Sequence, residues 1–406
     1  MKTLSVYIHI PFCVQKCKYC DFLSAPATKP ARQQYIEALK KEIMQESLQY
    51  VEYSVDSVFF GGGTPSILDG EQIAECMDVL RSHFHMSPNA EITMEMNPGT
   101  ADLEKLTAIK EAGINRLSIG LQSTDNAQLK MLGRIHTYEQ FLAIYEDARR
   151  AGFDNINIDL MSALPGQTQE DWELTLQRVV ALHPEHISAY SLIIEEGTPL
   201  YRNLEQYPPI PDEEEDRKMY VRTKELLAQA GYYRYEISNY ARKRVNDKSF
   251  TRQLVSQTPQ TQVLSHSRQE VSYECRHNSA YWIRSNYAGF GLGASSMVDN
   301  YRWKNTDDMQ HYIELISQGK SVKEDKYKLS MQECMEEFMY LGLRMMKGVS
   351  EQEFEQLYGQ PIDDVYKEVL DKWQQLGYLC RENGRIRLTD KGIDVSNVIL
   401  ADFLLD

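Results

Sequence analysis

Short apolar runs recur along the first half of the chain, at residues 6–11, 57–60, 91–96, 116–121, 155–160 and 186–194. Longer segments separate them, in which apolar residues return every three or four positions. Brief apolar runs alternating with helix-length segments predict buried strands of a parallel sheet. Residues 35–48 place Tyr35, Ile36, Leu39, Ile43 and Met44 near one face of a helix, and residues 103–112 and 138–151 are similar. Gly113 and Gly152 follow the last two as helix stops. Each strand–helix unit takes ~30 residues or more. Six such units predict an α/β fold, a TIM-like (β/α)6 barrel, complete or partial.

In such a barrel the chemistry sits where the strands end, because the loops converge there. The polar and glycine motifs fall at those points. Residues 13–20 follow the first strand and 61–65 the second, while 95–98 end the third. Gln122 and Ser123 end the fourth strand, and residues 159–166 the fifth.

The second half changes style. Residues 207–216 (YPPIPDEEED) read as a surface loop leading into a helix. Residues 241–272 are polar, rich in Gln, Ser and Thr, and show no apolar period. They predict an exposed, flexible insertion, with regular structure resuming at Tyr273. Residues 341–348, 351–358 and 362–376 predict three short helices. Residues 377–380 and 386–388 predict two strands that turn at Asn383-Gly384. Three helices and a hairpin resemble a small winged-helix module, a fold that does not by itself fix function. The expected boundaries are 1–240 for the barrel, 241–272 for the insertion, 273–325 for a barrel-associated segment and 326–406 for the C-terminal domain.

Composition narrows the class. The chain has 406 residues, 42% hydrophobic and 25% charged, as expected of a soluble protein with one large and one smaller domain. No apolar run is long enough to span a bilayer. The start, MKTLSVYIHIPFC, lacks the longer apolar region and small-residue site of a signal peptide. The expectation is a cytoplasmic protein. A net charge of −15, from 44 basic and 59 acidic residues, argues against a nucleic-acid partner. Of seven cysteines, Cys76, Cys275, Cys334 and Cys380 are scattered, whereas Cys13, Cys17 and Cys20 lie within eight residues. Such a cluster in a cytosolic chain points to metal or redox chemistry.

The spacing is CxxxCxxC. Three thiolates on one loop can hold three irons of a [4Fe–4S] cubane and leave the fourth open. The amino and carboxylate groups of S-adenosylmethionine (SAM) can chelate that iron. Electron transfer then cleaves a carbon–sulfur bond and gives a 5′-deoxyadenosyl radical. The alternative is structural zinc, which wants four ligands. His9 could be the fourth, although the strand direction and Pro11 make that awkward. The GGGTP at residues 61–65 suits close backbone approach, but alone a tight turn explains it equally well.

Taken together these motifs resemble the radical SAM superfamily. The closer resemblance is to the oxygen-independent coproporphyrinogen III oxidase family, over residues 1–395 apart from the insertion. The matching pieces are YIHIPFC, CKYCDF, FFGGGTPS, EMNPGT, RLSIGLQS, GRIHT, IDLMSALPGQT, YSLIIEEGTPL, YEISNYA, CRHNSAYW and GLGASS. The resemblance implies that Tyr7 contacts SAM and that Tyr19 lies beside the cluster and SAM. It places Gly62, Gly63 and Thr64 at the methionine end. It assigns Glu95, Gln122, Arg134 and Asp159 to SAM or to a second ligand deeper in the barrel. Each has a plainer reading: Arg134 and Asp159 as an ion pair, Glu95 as a strand-end cap.

Two features divide the family. Its oxidases carry a further cysteine two residues after the third ligand, where this chain has Phe22. The CDF form resembles the HemW group, described as heme chaperones. Cys275 to Trp282 is similar to that group's HNxxYW motif, associated with heme binding. A neutral His277 imidazole can ligate heme iron, and Tyr281 and Trp282 offer flat faces to a porphyrin. A hydrogen-bonded structural histidine is the other reading, and Cys275 is a competing axial ligand. The resemblance thus implies a chaperone that holds heme and a SAM-coordinated cluster. Its partners would be heme and heme-acceptor proteins, membrane-associated ones included, and a homodimer stays open. Oxidation of coproporphyrinogen III is the alternative, disfavoured by Phe22. A radical SAM methylase and a pure interaction protein are further alternatives. The residues leave open whether SAM is cleaved in the working cycle.

Overall fold

The computed structural model describes residues 1–243 and 272–405. Six strands, β1 (Lys2–Ile10), β2 (Tyr53–Gly62), β3 (His85–Met96), β4 (Arg116–Gln122), β5 (Ile156–Ser162) and β6 (His186–Ser191), pair in parallel and in sequence order. β1 and β4 are buried on both faces, which is why they read as apolar runs rather than as alternations. Helices Lys29–Glu46, Gly70–His83, Leu103–Glu111, Tyr138–Arg150 and Gln169–Val180 fill the connections. Asp69, Thr137 and Thr168 start three of these helices with capping boxes.

The sheet continues on both flanks. On one side β8 (Asn239–Arg242) runs antiparallel to β6 and pairs with β7 (Tyr232–Arg234). On the other, β9 (Tyr287–Phe290) pairs in parallel with β1, and β10 (Ser295–Val298), β11 (Tyr301–Asn305) and β12 (Lys323–Lys328) follow as an antiparallel meander. Among the described residues this makes one open sheet of twelve strands, ordered β12-β11-β10-β9-β1-β2-β3-β4-β5-β6-β8-β7. A partial barrel is therefore correct, but β9 to β12 were not foreseen.

A buried carboxylate ties that flank to the barrel. Glu42, in helix Lys29–Glu46, accepts from the Gly291 amide (2.8 Å), Asn305 Nδ2 (2.6 Å) and Tyr312 Oη (2.5 Å). Burial pushes its pKa up to about 7, against those three donors.

Two boundaries read from the sequence need correction. β8 runs through Ala241 and Arg242, and Ala241 is fully buried, so the strand reaches past residue 240. The rest of the insertion reading falls on residues 244–271, outside the described residues. The expected helix at 341–348 lies earlier, at Met331–Gly342. Ser330 and Glu333 form its capping box. It stops where a Cβ on Gly342 would meet the Val349 side chain at 2.4 Å.

After that helix come β13 (Val349–Ser350), helices Glu351–Tyr358 and Ile362–Gln375, and the hairpin β14 (Leu379–Glu382) and β15 (Arg385–Leu388). Asn383 (φ 53°) and Gly384 (φ 71°) give the hairpin two left-handed residues, as a type I′ turn requires. Phe338, Phe354, Tyr366, Leu370, Ile386 and Phe403 form a core separate from that of the barrel. The two parts meet at Glu337, which receives Arg284 and Arg302 at 2.8 Å each, and at Arg344, 4.4 Å over the Trp282 ring. Among the described residues no helix is long and apolar enough to cross a membrane.

Candidate functional site

The exits of β1 and β2 are sewn together. The Gly63 amide donates to Ile10 O (2.8 Å) and the Thr64 amide to Phe12 O (2.7 Å). A Cβ on Gly63 would lie 2.6 Å from Phe12 O and 2.8 Å from Phe12 N, so the backbone itself excludes any side chain there. Gly62 has φ 105° and sits over the His9 ring.

The cysteine loop is clipped onto this base. Cys13 N donates to Ala25 O, Ala25 N to Pro11 O and Lys18 N to Leu132 O, at 3.2, 3.0 and 3.0 Å. Thr64 Oγ1 donates to Cys13 Sγ (3.5 Å) and Arg134 Nη1 to Cys17 Sγ (3.4 Å). Burial raises the pKa of the Cys20 thiol, with the Phe22 amide opposing. His9 is committed elsewhere, to Tyr7 Oη (3.0 Å) and Leu23 O (2.9 Å). Among the described residues no three His, Cys, Asp or Glu side chains converge as ligands of a single ion. A cubane asks for a different arrangement, three thiolates each on its own iron.

Cys13, Cys17 and Cys20 all line a cleft of about 510 Å3 at the strand ends. Tyr19, Gly62, Gly63, Glu95, Gln122, Arg134 and Asp159 line the same cleft. Thr64 sits beside it, against Cys13. Tyr7 lies one step deeper, in a chamber of about 180 Å3 that shares Glu95, Ser118, Asp159, Ser188 and Asn278 with the cleft.

Glu95 ends β3 and accepts from the Gly62 amide of the neighbouring strand (3.2 Å). Burial, and then the charge of Asp159, push its pKa up to about 8. Asp159 is also raised by burial, while Asn157 Nδ2 (2.7 Å) and Ser118 Oγ (3.2 Å) donate to its two oxygens and oppose that rise. Gln122 turns the end of β4 with φ 74° and accepts from Tyr190 Oη (3.1 Å). Arg134 Nη2 donates to Asn97 Oδ1 and Gly120 O, at 2.5 Å each. The ion pair of Arg134 with Asp159 is thus not formed, because each is satisfied by other partners.

His277 is almost fully buried in helix Arg276–Trp282 and lines the deeper chamber. Its Nδ1 bonds Ser57 Oγ and its Nε2 bonds Tyr281 Oη, both at 3.0 Å, and its ring stacks on Phe59 at 5.0 Å. Glu91 of β3 accepts the Arg276 and His277 amides (3.2 and 3.3 Å) at the helix start. Burial, then the charge of Arg116, lower the His277 pKa to about 3. Trp282 faces the C-terminal domain through Arg344.

Sequence reasoning missed Asn97, Arg116, Ser118, Asn157 and Glu91. The available signal was a polar side chain inside an apolar strand, as with Arg116 opening β4 and Asn157 beside Asp159 in β5.

Comparisons with known proteins agree with this geometry. Residues 7–179 match the model of the radical SAM superfamily, and residues 329–395 that of the HemN C-terminal domain. The chain is 33% identical to the heme chaperone HemW of Bacillus subtilis (strain 168), over 98% of this chain and 99% of that one. It is 32% identical to the heme chaperone HemW of Escherichia coli (strain K12), over 99% and 98%. Coproporphyrinogen III oxidase (HemN) of Escherichia coli, a radical SAM enzyme, shares the fold with a TM-score of 0.81, at 23% identity over 99% of this chain and 90% of that one. Relatives that match from end to end at a third identity, on a barrel with its cysteines at the strand ends, fix the assignment: the chain belongs to the HemW family of radical SAM proteins.

Proposed function

We propose that this protein is a heme chaperone that holds a SAM-coordinated [4Fe–4S] cluster, binds heme, and passes it to acceptor proteins, membrane-associated ones among them. The observation that carries the reading is one cleft lined by three thiols, a side-chain-free turn and polar side chains of the four further parallel strands β3 to β6. Cys13, Cys17 and Cys20 would hold three irons. When bound, the cluster supplies one-electron reduction of SAM. Thr64 and Arg134 already donate to two of the three sulfurs, and such bonds tune a cluster's potential. Gly62 and Gly63 would admit the methionine end of SAM. Tyr7, Tyr19, Glu95, Gln122 and Asp159 would bound the rest of the ligand.

The heme side rests on full-length relatives named heme chaperones and on Phe22, 66% exposed at the lip of the cleft. Ligation by His277 requires one of its two ring bonds to open. Its chamber of about 180 Å3 would also have to widen, since sites for such cofactors start near ~300 Å3.

Anaerobic reconstitution tests the reading. Iron, sulfide and brown absorbance should appear in the native protein and vanish when Cys13, Cys17 and Cys20 become serine; their retention would sink the cluster assignment. Heme titration should shift the heme spectrum, and an unchanged spectrum in His277→Ala removes that residue as axial ligand. Robust conversion of coproporphyrinogen to protoporphyrinogen, with SAM and a reductant, would overturn the chaperone reading in favour of the oxidase.

A further inference from the structure

A line of buried hydrogen bonds joins the start of the CRHN motif to Asp159. Its polarity follows from a backbone amide, the only donor in the line that cannot reverse. Cys275 N donates to Tyr235 Oη (3.1 Å). Tyr235 then has its single proton left to give, and the other partner of that hydroxyl is His186 Nε2 (2.9 Å). Nε2 is therefore an acceptor. A neutral imidazole must then carry its proton on Nδ1, which faces Asn157 Oδ1 at 2.6 Å. With its oxygen held by His186, and by Ser188 Oγ at 3.1 Å, the Asn157 amide turns its Nδ2 toward Asp159 Oδ1 (2.7 Å) and Ser118 Oγ (2.8 Å). Ser118 in turn donates to Asp159 Oδ2 (3.2 Å).

We infer that His186 is a positioning residue: as an Nδ1-protonated neutral imidazole it fixes the Asn157 amide, so that Asp159 faces the cleft as an acceptor on both oxygens. His186, Tyr235, Asn157 and Cys275 are all buried, so a flipped amide would give up its present protein partners. A flip would set Asn157 Oδ1 against Asp159 and leave two oxygens facing each other. A phenylalanine at 186 would fill the space but release the amide. The neutral state is consistent with burial and the nearby Arg116, which hold the His186 pKa far below its ordinary value. The line begins at Cys275, so the motif segment reaches the SAM cleft through this relay as well as through Asn278, which lines the cleft itself.

The consequence for SAM rests on the assignment of Asp159 to the SAM site proposed above. The decisive experiment is a double-mutant cycle on the cluster-loaded full-length protein, with SAM affinity measured for His186→Phe, Asp159→Asn and the double variant. His186→Phe should weaken SAM by about tenfold alone and by far less in the Asp159→Asn background. Equal losses in both backgrounds, or no loss in either, would overturn the inference. An Asp159→Asn variant that binds SAM normally would sink the SAM assignment instead. The positioning claim is then read from the wild-type protein, whose His186 nitrogen-15 shifts should show a protonated Nδ1 and a bare Nε2. The opposite tautomer refutes the claim, and this measurement does not depend on any variant folding.

Discussion

With Glu95 placed against SAM as proposed above, SAM binding should be a proton-linked event. The Glu95 carboxyl lies in the cleft, half-buried, with a single backbone donor at Gly62 and a like charge at Asp159. Tyr7 and Arg116 face the same space from β1 and β4. With its pKa pushed up to about 8, Glu95 is about one-tenth ionised at pH 7 and nine-tenths at pH 9. A ligand bearing a sulfonium, which is positive at every pH in this range, binds better against the ionised form. SAM affinity should therefore rise by about tenfold between pH 7 and pH 9, equivalent to ~1.4 kcal/mol. At pH 7 close to one proton should be released per SAM bound. Titration calorimetry on the cluster-loaded protein, repeated in buffers of different ionisation enthalpy, counts that proton directly. Glu95→Gln should lose the Glu95 share of that rise and of the released protons, leaving only the pH dependence of the SAM amine. A native protein whose SAM affinity is flat from pH 7 to 9 with no proton released refutes the reasoning, because an ionised Glu95 would then already fill the cleft.

Three further outcomes follow from the geometry. Buried carboxyls with raised pKa values bind more protons folded than unfolded, so Glu42 (about 7) and Glu95 should make stability fall as pH rises from 4.5 toward 8; denaturant melts at pH 5 and 8 should show a smaller fall in Glu95→Gln. Gly63→Ala drives a Cβ into the Phe12 backbone and should reduce cluster retention after desalting; full retention would mean that the β1 and β2 exits can part. Glu337→Ala leaves Arg284 and Arg302 with no carboxylate between them and should cost ~3–5 kcal/mol, seen as earlier release of the C-terminal domain in limited proteolysis.

The barrel was legible because parallel strands buried on both faces leave an unambiguous trace, and β1 to β6 each supplied one. The flank of β9 to β12 left none. Its strands are four to six residues long, interrupted by Gly291 and Gly293, and β12 is nearly all exposed. Besides the pairing of β9 with β1, what ties them down is Glu42, an acidic residue on a helix some 250 positions earlier. No local pattern encodes such a contact. The first C-terminal helix was displaced for a similar reason. Its start was written in Ser330 and Glu333, but its end was set by the approach of Val349 to Gly342.

The site divides along the same line. Cys13, Cys17, Cys20 and the glycines sit in contiguous motifs whose chemistry is spelled out locally. Asp159 and His277 were each named in isolation, and their environments give them meanings that isolation could not. The motif leaves His277 open to two readings, a heme ligand or a hydrogen-bonded structural histidine, and Ser57 and Tyr281 bond both of its nitrogens. Asp159 reads as reaching SAM or a second ligand, or more plainly as half of an ion pair, and its donors here are an amide and a hydroxyl. In each case one partner is local, Tyr281 in the same helix and Asn157 in the same strand, while the other, Ser57 of β2 or Ser118 of β4, comes from a distant strand, and buried polar groups are read only once both are known. A motif of the CRHN kind can therefore matter to a cofactor through residues that do not line its cleft, as Cys275 does here. By closing the deeper chamber and anchoring the relay through Tyr235 and His186, it sets how the cleft above it holds charge.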